Sequence, residues 1–240
     1  MNSYTEETYG ERIAGVYDEW FPDHDAHAID ALADLARGGR ALELGIGTGR
    51  IALPLSAKDL EVHGIDASAS MLARLRAKPG GDRITVTQGN FAETAAGGQF
   101  ALVYVVFNTF FVLSSQEEQV RCFRNVAAHL APGGCFVIEA FVPNLKRFTG
   151  GQVNWATRVT TDLVELDVGN HDAVAQRVVS QKVVFSNGQV NLYPIQIRYA
   201  WPSELDLMAQ LAGLRLRERW SNWKRESFDS ESAKHISIYE

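Results

Sequence analysis

Glu43-Leu44-Gly45-Ile46-Gly47-Thr48-Gly49-Arg50 decides how the rest of the chain reads. Three glycines at alternate positions follow Ala41–Leu44, which reads as a short buried strand, and precede a stretch of helical character from Arg50. Glycines in such a loop remove the Cβ atoms that would hold a ligand away from the backbone. The N-terminus of the following helix adds free N–H groups and a positive dipole end. The spacing matters. A dinucleotide fingerprint, G-x-G-x-x-G, puts its third glycine one residue later, where Arg50 stands. A P-loop requires Gly-Lys-Ser/Thr, which is absent here. The loop therefore favours neither a pyrophosphate nor a nucleoside triphosphate.

Outward from this loop, helical and extended patterns alternate. Upstream, Ala28–Ala36 carries apolar residues at helical spacing and stops at Gly38-Gly39. Downstream, Glu61–Ile65 reads as a strand, Ser68–Arg76 as a helix and Ile84–Gln88 as a strand. Phe100–Phe107 is a long apolar run, the mark of a central strand covered on both faces. Gln116–Leu130 reads as a helix stopped by Ala131-Pro132-Gly133-Gly134, and Cys135–Phe141 as a buried strand. The alternation predicts a parallel sheet with helices on both faces. Beyond residue 141 the pattern turns β-rich: Val159–Val168, Ala173–Phe185 and Gln189–Trp201, separated by turns at Gly169-Asn170 and Asn187-Gly188. A helix over 203–212 and strands over 214–220 and 235–239 end the chain. The expected organisation is a cap and α/β core over 1–150, an antiparallel β insertion over 151–201 and the closing elements of the core over 202–240.

Gly64-Ile65-Asp66 ends the next strand and sets an acid about 20 residues past the loop, where a doubly wound sheet brings it to the loop's ligand to accept from ribose hydroxyls. Asp66 is also a good helix N-cap, a role Ser68 could take instead. Together the loop and the acid resemble the class I, Rossmann-like, S-adenosylmethionine-dependent methyltransferases. The resemblance covers roughly residues 12–141. It rests on Glu43-x-Gly45-x-Gly47-x-Gly49, on Gly64-Ile65-Asp66-Ala67-Ser68 with Met71-Leu72 following, and on Pro132-Gly133-Gly134 before the fifth strand. The third motif departs from the family: Gly89-Asn90-Phe91 stands where Gly-Asp is usual, so adenine would meet an amide rather than a charge.

The resemblance implies a doubly wound, seven-stranded, mostly parallel sheet and S-adenosylmethionine as cofactor. It implies cofactor contacts from Gly45, Gly47, Gly49, Asp66, Ala67, Ser68, Met71, Asn90, Phe91 and Phe107. Glu43 would serve the cofactor's ammonium, Arg50 its carboxylate, and Tyr17 its methionine end, with Tyr9 in reserve. The acceptor would meet Asn108, Phe111, Glu139 and Phe141 at the carboxyl ends of the fourth and fifth strands. No catalytic residue is singled out. Each histidine has an ordinary structural reading, with His129 on the surface of its helix and His63 inside a strand. Such an enzyme needs no metal, because a sulfonium methyl is already electrophilic. Two other readings stay open: a methyltransferase-like domain that binds a nucleoside without catalysis, and an NAD-dependent oxidoreductase.

The composition sets the outer limits. Hydrophobic residues make up 46% and charged residues 22%, a balance that suits one large domain or a domain with an elaboration. The formal charge of -6 and the absence of a basic face argue against nucleic acid and for a small-molecule acceptor, such as a sugar or another secondary metabolite. No apolar run reaches the ~18 residues a membrane span needs. The polar opening MNSYTEETYG lacks the order of a signal peptide. The expectation is a cytoplasmic protein whose two cysteines, Cys122 and Cys135, are core residues. The insertion would act as a lid or a subunit contact, with hairpins able to pair in a homodimer.

Overall fold

The computed structural model describes residues 4–240, so Met1-Asn2-Ser3 of the polar N-terminal stretch lie outside it. Two short helices, α1 (Thr8–Ile13) and α2 (Tyr17–Trp20), form a cap from a segment whose sequence shows no helical periodicity. The core follows as α3 (Ala26–Ala36), β1 (Ala41–Leu44), α4 (Ala52–Ser56), β2 (Val62–Asp66), α5 (Ala69–Ala77), β3 (Thr85–Gln88), β4 (Phe100–Val105), α6 (Gln116–His129) and β5 (Leu130–Phe141). After the inserted strands come α7 (Pro202–Leu211), β10 (Leu216–Trp220) and β11 (Lys234–Tyr239). The main sheet has the order β3-β2-β1-β4-β5-β11-β10, parallel except for β11, which runs against both neighbours. The strand order reverses between β1 and β4, and such a switch point opens a crevice at the carboxyl ends of the strands.

Apolar layers on both faces hold this sheet. Leu42, Leu44, Val103, Val105, Phe136 and Ile138 face one core. Ala41, Leu102, Tyr104, Cys135 and Val137 face the other. That alternation within continuously apolar strands is what a doubly covered parallel sheet requires. Helix starts are fixed chemically. Ser68 caps α5 by accepting the Met71 N–H, and Ser115 with Glu118 forms a reciprocal capping box at α6.

Three local expectations change. Ala131-Pro132-Gly133-Gly134 is not a turn before β5 but part of it. Gly133 has φ +76°, and the register with β4 shifts nearby, so the turn residues make a bulge. His129 is buried rather than on the helix surface. Its Nε2 accepts the Ala96 N–H at 3.0 Å, which leaves Nδ1–H to donate to the Asn125 carbonyl at 2.7 Å. The insertion has four strands rather than three: β6 (Gln152–Val159), β7 (Leu163–Asp172), β8 (Arg177–Ser186) and β9 (Gln189–Arg198), paired antiparallel in that order. Gly169-Asn170 lies inside β7. A Cβ on Gly169 would stand 2.7 Å from the Ser180 Cβ and 2.8 Å from the Val179 carbonyl oxygen, so close strand approach, not a turn, calls for glycine there. Asn187-Gly188 does make the β8–β9 hairpin, both residues having positive φ.

Candidate cofactor site

The carboxyl ends of β1 and β2 converge on one another. Asp66, the last residue of β2, accepts the Gly47 N–H on Oδ2 at 2.8 Å and the Ser68 N–H on Oδ1 at 2.8 Å. Ser68, not Asp66, caps α5. Burial pushes the Asp66 carboxyl up, and the two N–H donors work against that shift. Each oxygen keeps a lone pair for a further donor. A cavity of about 230 Å³ opens here, and Gly45, Gly47, Asp66, Ala67, Ser68, Met71, Asn90, Phe91, Tyr9 and Tyr17 all line it.

The three loop glycines serve different ends. A Cβ on Gly45 would meet the Thr109 Cγ2 at 2.4 Å, and one on Gly49 would meet the Leu75 Cδ1 at 2.3 Å. Those two positions are closed by the protein's own packing. Nothing lies within 4 Å of a Cβ on Gly47, whose φ is +54°, so its bare backbone faces open space. Beneath the loop, Glu43 is buried and accepts the Tyr104 hydroxyl at 2.9 Å. Burial pushes its carboxyl up to about 8, against the pull of Tyr104 and of the Arg50 guanidinium. Glu43, Gly49, Arg50 and Phe107 are not part of the cavity wall. Arg50 lies over the Phe107 ring at 4.1 Å and donates to the Asp23 carbonyl at 3.1 Å. Asn90 uses its side-chain oxygen to accept the Ala92 N–H at 2.9 Å.

The cap closes the cavity through contacts that no sequence spacing announces. Glu11 accepts the Ser68 hydroxyl at 2.7 Å and the Ser70 N–H at 3.0 Å, and the Ser70 hydroxyl also bonds to it. Those bonds, led by the one from the Ser70 side chain, hold its carboxyl below the usual range. Asp18 accepts the Thr48 hydroxyl at 2.6 Å and the Lys78 Nζ at 2.7 Å. Tyr4 binds the Gln196 N–H of β9 through its hydroxyl at 3.2 Å, and Gln196 and Arg177 bring the inserted sheet to the cavity wall.

At the ends of β4 and β5, Phe107 and Asn108 both have positive φ, uncommon for non-glycine residues. Glu139 accepts the Phe107 N–H at 3.1 Å and pairs with Lys234 at 3.3 Å. Asn108 accepts the Phe141 N–H at 2.7 Å. These side chains bind the two loops to each other. Phe111 is fully buried against Phe141, with ring centroids 4.9 Å apart. Phe107, 40% exposed, instead presents its ring beside Phe21 at 5.1 Å, above the strand ends.

Residues 41–134 match the family described as a methyltransferase domain. Over the whole chain, the protein is 40% identical to the CcbJ methyltransferase of Streptomyces caelestis, with 98% of each chain covered and a TM-score of 0.91. The chain belongs to the S-adenosylmethionine-dependent methyltransferases. Among other members of this family, the cypemycin N-terminal methyltransferase of a Streptomyces species is 26% identical over 204 residues, 85% of this chain and 83% of that protein. The fold also matches SAM-bound CalS10, an amino pentose methyltransferase of Micromonospora echinaspora, with a TM-score of 0.67 at 20% identity over 100% of this chain and 98% of that one. As a methyltransferase the chain uses S-adenosylmethionine, and the cavity is built to suit that ligand. Gly47 has an unobstructed backbone, Asp66 has spare acceptor capacity and Asn90 keeps its amide nitrogen free of a protein hydrogen bond among the described residues. No helix among the described residues is long and apolar enough to cross a membrane.

Proposed function

We propose that this enzyme methylates an amine nitrogen of a small molecule, such as an amino sugar, a modified peptide or another secondary metabolite. The observation that carries this reading is the cavity wall: among the described residues it contains no histidine. His63 and His235 are buried within strands, where burial depresses both imidazoles, His235 to about 3. His129 is committed to two backbone groups. A hydroxyl acceptor profits from a general base, whereas an amine arriving neutral attacks unaided. Two of the relatives carry nitrogen-bearing acceptors in their names, a peptide N-terminus and an amino pentose.

S-adenosylmethionine, when bound, supplies a methyl group on a positively charged sulfur. In this reading the chain's own work is positional. Asp66 accepts from the ribose, Asn90 meets the edge of adenine, and Phe91, Ala67 and Met71 enclose its faces. Gly47, with Gly45 beside it, lets the backbone come close, and Gly49 supports the loop. Tyr17 stands at the methionine end. Glu43 faces the ammonium through the floor of the loop and Arg50 the carboxylate. The edge-packed rings of Phe21 and Phe107 border the acceptor's approach, and Asn108, Glu139, Phe111 and Phe141 form the frame beneath it. Titration calorimetry with S-adenosylmethionine, S-adenosylhomocysteine and NAD, followed by methyl transfer to amines and matched alcohols, tests this. Adenosyl ligands should bind and amines alone should be methylated. Transfer to alcohols alone would overturn the nitrogen assignment, and NAD binding alone would overturn the whole reading.

We also infer a homodimer joined through the inserted sheet, residues 151–201, with the cytoplasm as its compartment. Two buried free cysteines support the compartment. The two faces of the sheet support the dimer. In register across the four strands, one face presents Gln152, Asn170, Val179 and Gln196, then Asn154, Val168, Gln181 and Pro194, then two wholly apolar rows. Those rows are Ala156, Leu166, Val183 and Leu192, and Val159, Val164, Phe185 and Val190. None of these residues is charged, and Val159, Val190 and Leu192 are 66%, 56% and 54% exposed. The opposite face carries Arg158, Glu165, Asp167 and Lys182. A twofold axis sets a surface against its own copy, so these four uncharged rows meet no like charge there; the charges of this face, Asp172, Arg177 and Arg198, stand in the next row, where Arg198 is buried. At ordinary strand and residue spacings the four rows span about 500 Å² a side, close to the ~1,000 Å² total that a specific interface needs. Light scattering should show a dimer, and a monomer at micromolar concentration would refute it.

A further inference from the structure

We propose that Asp18 is a positioning residue that holds Tyr17 against the glycine loop and so sets the methionine end of the site. The inference rests on the cofactor role given to Tyr17 above. Asp18 follows Tyr17 within α2, a helix of four residues with no side-chain cap at its N-terminus. So short a helix has little stability of its own. Its place comes from outside. The Asp18 carboxylate takes the hydroxyl of Thr48, a buried residue between Gly47 and Gly49, at 2.6 Å. The same oxygen takes the Lys78 ammonium at 2.7 Å, and that ammonium reaches the Thr48 carbonyl at 2.9 Å. Three groups thus close a ring around the middle of the loop. Burial works against the Asp18 charge, but the bonds from Lys78 and Thr48 outweigh it and hold the carboxyl below its ordinary range.

The ring has a direction. Its far side is the glycine loop and its near side is the helix that carries Tyr17 to the cavity wall. Tyr17 in turn packs on Phe21 with ring centroids 5.0 Å apart, and Phe21 meets Phe107 at 5.1 Å. One carboxylate therefore registers the loop that approaches the cofactor with the aromatic residues on the acceptor side. Asp18 touches neither the reacting atoms nor the cavity; it acts through Tyr17.

A double-mutant cycle on the full chain tests this, with S-adenosylhomocysteine as the calorimetric probe. Asp18→Ala should weaken binding about tenfold, and Tyr17→Ala by a similar factor. On the Tyr17→Ala background, Asp18→Ala should cost less than twofold, because the residue it positions is gone. Asp18→Asn, which can still accept from Thr48, should recover part of the loss. Amide exchange in Asp18→Ala should accelerate over residues 16–21 while β1 and β4 keep their protection. An equal cost of Asp18→Ala on both backgrounds would overturn the proposal, as would loss of protection throughout the main sheet, which marks a purely structural role. Unchanged binding by Tyr17→Ala would instead reject the cofactor role of Tyr17.

Discussion

The two sheets of this methyltransferase use their surfaces in opposite ways. The seven-stranded sheet buries both faces and opens its cavity at the ends of its strands, where backbone groups and single side chains converge. The four-stranded sheet leaves two apolar rows of one face open, while its other face carries Arg158, Glu165, Asp167 and Lys182. In the first, the strand ends line the cavity and the faces are packed into the core. In the second, the exposed apolar rows lie on a face, and only the strand ends at Arg177 and Gln196 reach the cavity.

Substitutions can break or sharpen this contrast. The largest effect should come from beneath the strand-end site. The Glu43 carboxyl titrates near 8 in the folded protein and near 4.5 when free, so the folded state binds the extra proton between these values. Stability associated with that proton is present below about pH 4.5 and is lost as the pH rises through about 8. Glu43→Gln should therefore be more stable than the parent above pH 8, by on the order of 5 kcal/mol, with the gain fading toward pH 4.5. Thermal unfolding across that range measures it, and a pH-independent difference would deny the buried proton. Next, Gly47→Ala should weaken S-adenosylhomocysteine by about a hundredfold, roughly 2.7 kcal/mol, with an unchanged circular dichroism spectrum. Gly49→Ala should instead lower the melting temperature, because its Cβ meets Leu75. If the two phenotypes were exchanged, the division of labour in the loop would be wrong. Asp66→Ala should cost about 1.5–3 kcal/mol of binding, the scale of hydrogen bonds to a charged group; calorimetry showing no loss would reject the ribose contact. The smallest effect on the site should come from the inserted sheet. Leu192→Glu should separate the dimer in light scattering and leave S-adenosylhomocysteine affinity within about twofold, since this exposed face position is not part of the cavity wall. A dimer that persists would move the interface elsewhere.

How much of this could be read from the chain depends on how local the cause is. The glycine loop, Asp66 and the alternation from Ala41 to Phe141 are legible because neighbouring residues determine them. The cap is not, because Glu11 and Asp18 find Ser68 and Lys78 some 57 and 60 residues away. His129 was misplaced for the same reason: its partner, the Ala96 N–H, is 33 residues distant. Gly169 looked like a turn because glycine serves both turns and close strand contacts, and only the position of Ser180 separates the two. The two apolar rows of the insertion emerge only once four strands are set in register, with the irregularity between Ala156 and Arg158 shifting the alternation in β6. Glu139 and Asn108 were legible as residues at the strand ends, but their engagement with backbone N–H groups was not.

The position of β11 bears on how the chain reaches this state during synthesis. β10 is joined to the main sheet only through β11, which lies between it and β5. As the chain leaves the ribosome, β10 emerges with no strand to pair with, and β5 keeps an open edge until residues 234–239 are free. β1 to β5 can assemble in order while that edge stays open, so a chain stalled or released before residue 234 would expose an apolar strand border to chaperones and to other nascent chains.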